Sequence, residues 1–281
     1  ILGWGPVDAM ATQGAAVATL IARAVTATVG LGVLLQGGWG IRLRPTDLRI
    51  DTALMRRVVT IGYPATLDGL ARSFAAVALA AVVARFGPVV TAAYGIGLRL
   101  MSVSWTVSGA VGQATATGVG QNLGADRPDR AATVTWWATA GTVVLLGCVS
   151  LVVLASPGWF MRLFIADAAV IAEGVHMLRI VAPVWGVLGG LMVIQGAFRG
   201  AGRTRISMVL SLISRYVIRF PIGLVLAFPL AWGITGMWLG LSISGVGAFL
   251  LGIWWFRRGD WRQSVIEHTP STAVADRAVE S

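Results

Sequence analysis

Apolar residues run through this chain in long blocks, and the polar and charged residues gather between them. Seven blocks approach or exceed 20 residues: roughly 11–36, 58–86, 89–121, 131–155, 174–198, 206–229 and 235–256. A bilayer core about 30 Å thick needs about 20 mostly apolar helical residues to cross it. Strands of a membrane barrel would instead show about ten residues of strict alternation. Long unbroken runs leave helices as the spanning structure, because only a helix satisfies its backbone within one segment. The pattern predicts an all-α polytopic membrane helix bundle of seven spans. The third block is too long for one straight crossing and must tilt or bend, with Gly109, Gly112, Gly118 and Gly120 as places to do so.

Composition narrows the class. Of 281 residues, 56% are apolar and 12% charged, against about 25% charged in soluble domains. The mean hydropathy is +0.78. A soluble enzyme, a disordered chain and a disulfide scaffold are excluded. Cys148 is the one cysteine, so neither an internal disulfide nor a cysteine metal site can form. No His/Cys cluster, paired intramembrane carboxylates, HExxH or GxSxG occurs, so no enzyme and no metal site is expected.

The net charge of +10 comes with 22 basic residues, all arginine. Their placement points to topology, not to nucleic acid. Arg42, Arg44, Arg49, Arg56 and Arg57 follow the first span, and Arg127 and Arg130 the third. Arg199, Arg203 and Arg205 follow the fifth, and Arg257, Arg258, Arg262 and Arg277 the last. The alternate links carry only Arg85 and Arg162. The positive-inside rule makes the arginine-rich links and the tail cytoplasmic. Trp4, Trp159 and Trp232 fall near the outer ends, where an aromatic belt belongs. Arg199–Arg205 (RGAGRTR) lacks the strand and GKS/GKT ending of a phosphate loop.

The first and last spans share a short pattern: a proline, then QGAAVATLI ending at Ile21, and a proline, then TGMWLGLSI ending at Ile243. That spacing fits a six-helix repeat, a common way to build transporters. Four regions follow: 1–41, the last helix of an incomplete N-lobe; 42–57, a cytoplasmic inter-lobe linker; 58–258, a six-helix C-lobe; 259–281, a flexible cytoplasmic tail. The chain opens on Ile1 with no basic leader, which reads as a chain whose beginning is missing.

Charges within spans are the candidate chemistry, since each costs about 2.5–3.5 kcal/mol at mid-helix on insertion scales. Asp68 is the one acid expected well inside a span, and Arg72 lies one turn later on the same face. Pro64, one turn before Asp68, removes an amide donor and marks a bend. The pair reads equally as an ion-coupling element or as a static ion pair. In the sixth span Arg215 and Arg219 precede Pro221, a second hinge candidate, and depth counting places Arg219 level with Asp68, where it would share the carboxylate. Arg99 and Arg23 lie deep without an assigned partner, and Arg179 is near enough to an end to snorkel. Gln113 and Gln195 are the better cavity candidates among the polar residues, with interhelical hydrogen bonding as their plainer reading. His176 reads as an interfacial residue. The 36 glycines are spaced for close helix contact.

VGQNLGADRPDRA (Val119–Ala131), AAYGIGLRL (Ala92–Leu100), QGAFRGAGRTR (Gln195–Arg205) and VIRFP (Val217–Pro221) keep the order and spacing of a known pattern. Together they resemble the C-terminal half of the multidrug and toxic compound extrusion (MATE) family, over roughly residues 11–258. IGYPATLDGLARS (Ile61–Ser73) is similar to that family's seventh helix. The resemblance implies twelve helices in two six-helix lobes, with this chain supplying helices six to twelve. It implies a multi-pass protein of the prokaryotic inner membrane that exports small amphipathic compounds, organic cations among them, by alternating access. A proton or sodium gradient would drive it, with no other cofactor.

One branch of the family carries an ion-site glutamate eight residues after the seventh-helix proline. Here that position is Arg72, so the resemblance is closer to the damage-inducible-type branch. In that branch the proton-sensing aspartate is similar to one in the first helix, which this chain does not include; Asp68 and Arg72 are coupling candidates from their own spacing beside Pro64. Arg99, Gln113, Gln195, Arg215, Arg219 and Tyr94 are the cavity candidates, and Pro64 and Pro221 the hinges. Two alternatives stand beside this: a lipid-linked or polysaccharide flippase of the wider superfamily, favoured by the arginine content, and a truncated half without transport activity.

Overall fold

The computed structural model describes residues 11–36 and 52–262. Trp4, most of the 42–57 link and the tail from 263 lie outside them. The chain divides into two compact units, Ile1–Arg57 and Val58–Ser281. In the first, α1 (Ala11–Gln36) is one apolar helix, with Arg23 exposed. Thr26 and Thr28 donate to the carbonyls of Ala22 and Ala24 at 2.8 Å. A hydroxyl bonded back to its own helix needs no outside acceptor, which is how threonine is tolerated in an apolar span.

α2 (Thr52–Ala84) belongs mostly to the second unit, followed by α3 (Pro88–Gly124), α4 (Pro128–Ala155) and the short α5 (Pro157–Arg162). Pro88, Pro128 and Pro157 each occupy the first turn of their helix, where the missing amide costs nothing. α6 (Ala168–Val181) is capped by the Asp167 carboxylate, which accepts from the amides of Ala169 and Val170. It continues through a 3₁₀ turn, Ala182–Val184, into α7 (Trp185–Gly200). The break falls at Pro183, which cannot donate within the helix. α8 (Thr204–Leu212) runs through a π-helical segment, Ile213–Arg219, into α9 (Phe220–Ala227), and α10 (Ile234–Arg258) closes the unit.

Two turns share one build. After α3, the Arg127 amide donates to the Asn122 carbonyl and the Asp126 amide to Leu123. After α7, Arg203 donates to Phe198 and Gly202 to Arg199. This crossed pair of bonds, with a positive φ at Asp126 (55°) and Gly202 (73°), is a Schellman ending repeated 76 residues apart. The Gly-Ala-x-Arg sequences at 124–127 and 200–203 encode it.

Among the described residues, six helical stretches are long and apolar enough to cross a membrane: 16–36, 58–84, 128–155, 168–200, 204–227 and 234–258. α3 has the length, at 37 residues, but Arg99 and its glycines, serines and threonines dilute its hydropathy. The expected seventh span therefore rests on length alone. The fifth span starts at Ala168, earlier than expected, because Asp167 caps it there. That places a second acid, Glu173, inside a spanning helix; its Oε1 is buried with no hydrogen-bond partner among the described residues.

The stretch 259–262, expected to open a flexible tail, folds back instead. Gly259 adopts φ +81° at the end of α10. Trp261 is then buried, stacked on Phe256 at 4.4 Å, and donates its indole N–H to the Phe256 carbonyl. A large ring next to an apolar surface outweighs the polarity of its neighbours.

Close packing rests on small residues. A Cβ on Gly196 or Gly200 of α7 would fall on the backbone carbonyls of Gly112 and Ala116 of α3. One on Gly236 or Gly240 of α10 would fall on the backbone of α9. Both pairs are four apart, the spacing that lets membrane helices touch along one face. Outward faces carry large apolar side chains, including Trp137, Phe74 and Leu151.

Gly196→Ala is expected to force α3 and α7 apart and to destabilise the protein by about 1–3 kcal/mol, read as a lower melting temperature in detergent. Gly141→Ala, with open space around the new carbon, should leave that temperature unchanged. Equal shifts in the two variants would remove the close-contact account.

Candidate functional site: an arginine-lined cavity pair

The site begins on α2. Pro64 is buried inside the helix, which continues through it. Asp68 and Arg72 follow at one-turn intervals on the same face. The Arg72 Nη2 donates to Asp68 Oδ2 at 2.7 Å. The Asp68 side chain is 10% exposed and that of Arg72 43%, so the acid is the buried partner and the base reaches out. The other carboxylate oxygen, Oδ1, is fully buried and has no hydrogen-bond partner among the described residues. Arg215 Nη1 stands 3.9 Å from it, an ion-pair distance rather than a hydrogen bond.

Arg215, not Arg219, is therefore the second guanidinium at Asp68. Depth counting treats helices as parallel rods, and the way two rods cross decides which turn meets which. Both arginines ride on the π segment, whose end is marked by the Phe220 amide donating to the Arg215 carbonyl five residues back. Pro221 follows in the first turn of α9 and supplies no amide to continue the ladder. π segments are rare and concentrate at functional sites.

Serines hold the remaining groups. Arg219 Nε donates to Ser244 Oγ at 3.2 Å, and that hydroxyl donates to the Leu241 carbonyl. Ser214 Oγ donates to the Ser244 carbonyl. Arg215 Nη1 donates to the Ser211 carbonyl at 3.4 Å, Gln195 Nε2 to Ser211 Oγ at 3.2 Å, and Arg199 Nη1 to Ser207 Oγ at 3.3 Å. Tyr216 OH donates to the Ala71 carbonyl at 2.7 Å, pinning the π segment to α2.

Two cavities open around this network. The smaller, about 340 Å³, is lined by Asp68, Arg72, Gln113, Gln195 and Arg199 among others. The larger, about 550 Å³, takes Arg72, Gln195, Arg215 and Arg219 on its polar side. Its apolar side is built from Leu79, Leu98, Met101, Leu188, Leu191 and Leu241, with Tyr94 and Trp105. Both are lined by Arg72, Met192 and Gln195, so they adjoin. Tyr94 stacks on Trp238 at 5.6 Å, which fixes the ring at the wall. The larger volume lies within the range of drug-sized binding sites. Four guanidiniums and one carboxylate line the pair of cavities among the described residues.

The structure thus brings Asp68, Arg72, Gln113, Gln195, Arg215, Arg219 and Tyr94 to the cavities. Arg99 is exposed on α3 and lines neither, because its position faces away from α7. His176 is exposed and its Nε2 shares a 2.8 Å hydrogen bond with Thr235 Oγ1. Arg199 was missed as a lining residue because the positive-inside rule accounts for it, and Tyr216 and Ser244 because single hydroxyls carry no spacing signal.

A multi-helix membrane bundle with a drug-sized, partly polar cavity in its interior has the build of a transporter. The MatE family model matches residues 64–225, more than half of the sequence. The chain belongs to that family, whose members are transporters and not enzymes. It is 30% identical over 249 residues to "Multidrug resistance protein NorM" of Burkholderia vietnamiensis, covering 86% of this chain and 54% of the relative. It is 30% identical over 203 residues to "Probable multidrug resistance protein NorM" of Brucella suis biovar 1, covering 70% and 43%. The fold matches the Vibrio cholerae MATE transporter VcmN in its bent form with a TM-score of 0.75 at 22% identity, over 87% of this chain and 55% of that one. The chain spans about half the length of the curated relatives it matches.

Asp68→Asn leaves Arg215 facing an uncharged partner in a site where it is 19% exposed, and is expected to cost about 1–3 kcal/mol. Arg72→Gln removes a guanidinium that is largely solvated and should cost about 1 kcal/mol or less. Thermal unfolding of the two variants in one detergent reads the order, and a reversed order would show that Asp68 is not held as the buried partner.

Proposed function

We propose that the protein moves small amphipathic organic compounds out of the cell by alternating access, as a secondary active exporter. The observation that carries this is the large cavity beside Asp68, with an apolar wall facing a polar one. The relatives described as multidrug resistance proteins support a multidrug exporter. We assign residues 58–258 to a six-helix C-lobe. α3 counts as a spanning helix, which gives seven spans and places the tail in the cytoplasm of a bacterial inner membrane.

Coupling is assigned to Asp68 and Arg72. Ionised, the carboxylate holds Arg72 and stands within ion-pair distance of Arg215. A proton on Asp68 Oδ1 or Oδ2 removes that charge, loosens α2 from the π segment, and biases bending at Pro64. The cavity then changes its net charge and its shape in one step. A proton suits this site better than sodium, because Arg72 stands where one branch of the family carries an ion-site glutamate, and a guanidinium cannot ligate sodium. Pro64 and Pro221 mark where the two rods give.

The flippase reading is favoured by one observation, the excess of arginine along the cavity.

In dye-loaded cells producing the protein of the complete reading frame, dye efflux should collapse with a protonophore and fall at least tenfold in Asp68→Asn that still folds. Efflux at the wild-type rate in that variant removes Asp68 from the mechanism, and protonophore-insensitive efflux removes the proton. Cysteines placed one at a time at Gly87, Asp126, Ile165, Gly202 and Ala231, in a Cys148→Ser background, should label from opposite sides in alternation with an impermeant reagent. Failure to alternate would overturn the seven-span topology.

A further inference from the structure

Resting on the reading of the larger cavity as the place where the transported compound sits, we infer that it receives an amphipathic oxyanion. The compound is a carboxylate, sulfonate or phosphate on an apolar body, and its head group is held by Arg219 and Arg215.

The polar side of that cavity offers hydrogen-bond donors on Arg72, Arg215 and Arg219, and amide and hydroxyl groups on Gln195, Ser211 and Ser214. Among the described residues no carboxylate lines it; Asp68 lines the smaller neighbour. A cationic head group would meet three guanidiniums there, and the neighbouring carboxylate, Asp68, is already paired with Arg72 and within ion-pair distance of Arg215. An oxyanion finds charge-assisted donors in the fork geometry that suits two oxygens.

Arg219 is prepared for this. Its Nε is tied to Ser244, and Ser244 is itself fixed to the Leu241 carbonyl. The side chain lines the cavity, and the Nε bond to Ser244 is its one hydrogen bond among the described residues. One bond thus orients the guanidinium and leaves its planar end open to a ligand. Arg215 keeps only a long contact to the Ser211 carbonyl and an ion-pair distance to Asp68. The leucine wall, Tyr94 and Trp105 take the apolar body.

Asp68 then has a defined sign. An ionised Asp68 competes with the oxyanion for Arg72 and Arg215, and neutralising it strengthens the site.

The test uses the full chain in phosphatidylcholine nanodiscs and three probes on one apolar body: dansylglycine (anion), dansylglycinamide (neutral) and dansyl-ethylenediamine (cation). Fluorescence titration should show dansylglycine binding about tenfold tighter than the amide. Arg219→Gln should remove that preference, and Arg219→Lys should keep part of it. Asp68→Asn should tighten dansylglycine and weaken dansyl-ethylenediamine. Opposite responses of two probes in one variant cannot come from misfolding.

Doping the discs with phosphatidylglycerol separates two sources of the head group. Displacement of dansylglycine assigns the site to anionic lipid, and no displacement assigns it to a soluble amphiphile; both uphold an oxyanion site. Tighter binding of the cation, rising further in Arg219→Gln, overturns the inference and leaves the cavity standing. If none of the three probes binds, or a Leu188→Trp plug changes none of them, the cavity reading itself falls.

Discussion

A charge or an unpaired hydrogen-bonding group in hydrocarbon has to find its partner inside the protein. That constraint orders most of what this chain does. Hydroxyls on lipid-facing helices bond back to the carbonyl one turn earlier, as Thr106 does to Ser102 and Thr133 to Asp129. Inward hydroxyls do either: Ser108 and Thr135 bond back to Ser104 and Ala131, while Ser150 crosses to the Ala182 carbonyl and Ser242 to Ile180. The Ser150 bond serves Pro183 indirectly: a proline at the 3₁₀ break disturbs the ladder, and a serine from α4 supplies a donor beside it. Arginines inside the bundle follow the same rule with larger stakes, and one carboxylate serves two of them.

Rigidity and movement are placed on different seams. The contacts of α3 with α7 and of α9 with α10 run backbone against backbone through Gly196, Gly200, Gly236 and Gly240. Such seams have no slack, because a shift along them meets a carbonyl and not a side chain that can rotate. Between α2 and the π segment the described links are polar: the Tyr216 hydroxyl on Ala71 and the ion pairs of Asp68. Polar links of this kind can exchange with water or a ligand at small net cost. The cavities lie on that seam, lined by Arg72 on one side and by Arg215 and Arg219 on the other.

The spans were readable from the sequence because membrane solvent imposes a crude rule, length times hydropathy, that any spanning helix obeys. α3 shows its limit: a helix packed on several sides of a bundle need not be apolar throughout, and Arg99 with its glycines drops it below the rule. The start of α6 was misplaced because a cap at Asp167 is a local hydrogen-bond event with no hydropathy signal. At the site, Asp68 with Arg72 was legible since i, i+4 spacing fixes a face. Arg215 as the second partner was not, since which turn of one rod meets another depends on crossing geometry. Trp261 was hidden by its polar neighbours, and only the left-handed turn at Gly259 brings it back onto Phe256.

The π segment ties these threads together. A proline at 221 withholds an amide from the helix preceding it, and the chain absorbs that gap by widening the turn over Ile213–Arg219. Widening sets Arg215 and Arg219 on the cavity side while Tyr216 reaches α2. An α-helical register through the same residues would rotate the three relative to one another and could not keep all of these contacts at once. The strain of a rare turn is thus offset by the ion pairing it permits. Anything that weakens the pairing, such as neutralising Asp68, lowers the reason for the turn to stay wide. Charge at one carboxylate and register of a neighbouring helix are thus joined through the ion pair of Asp68 with Arg215.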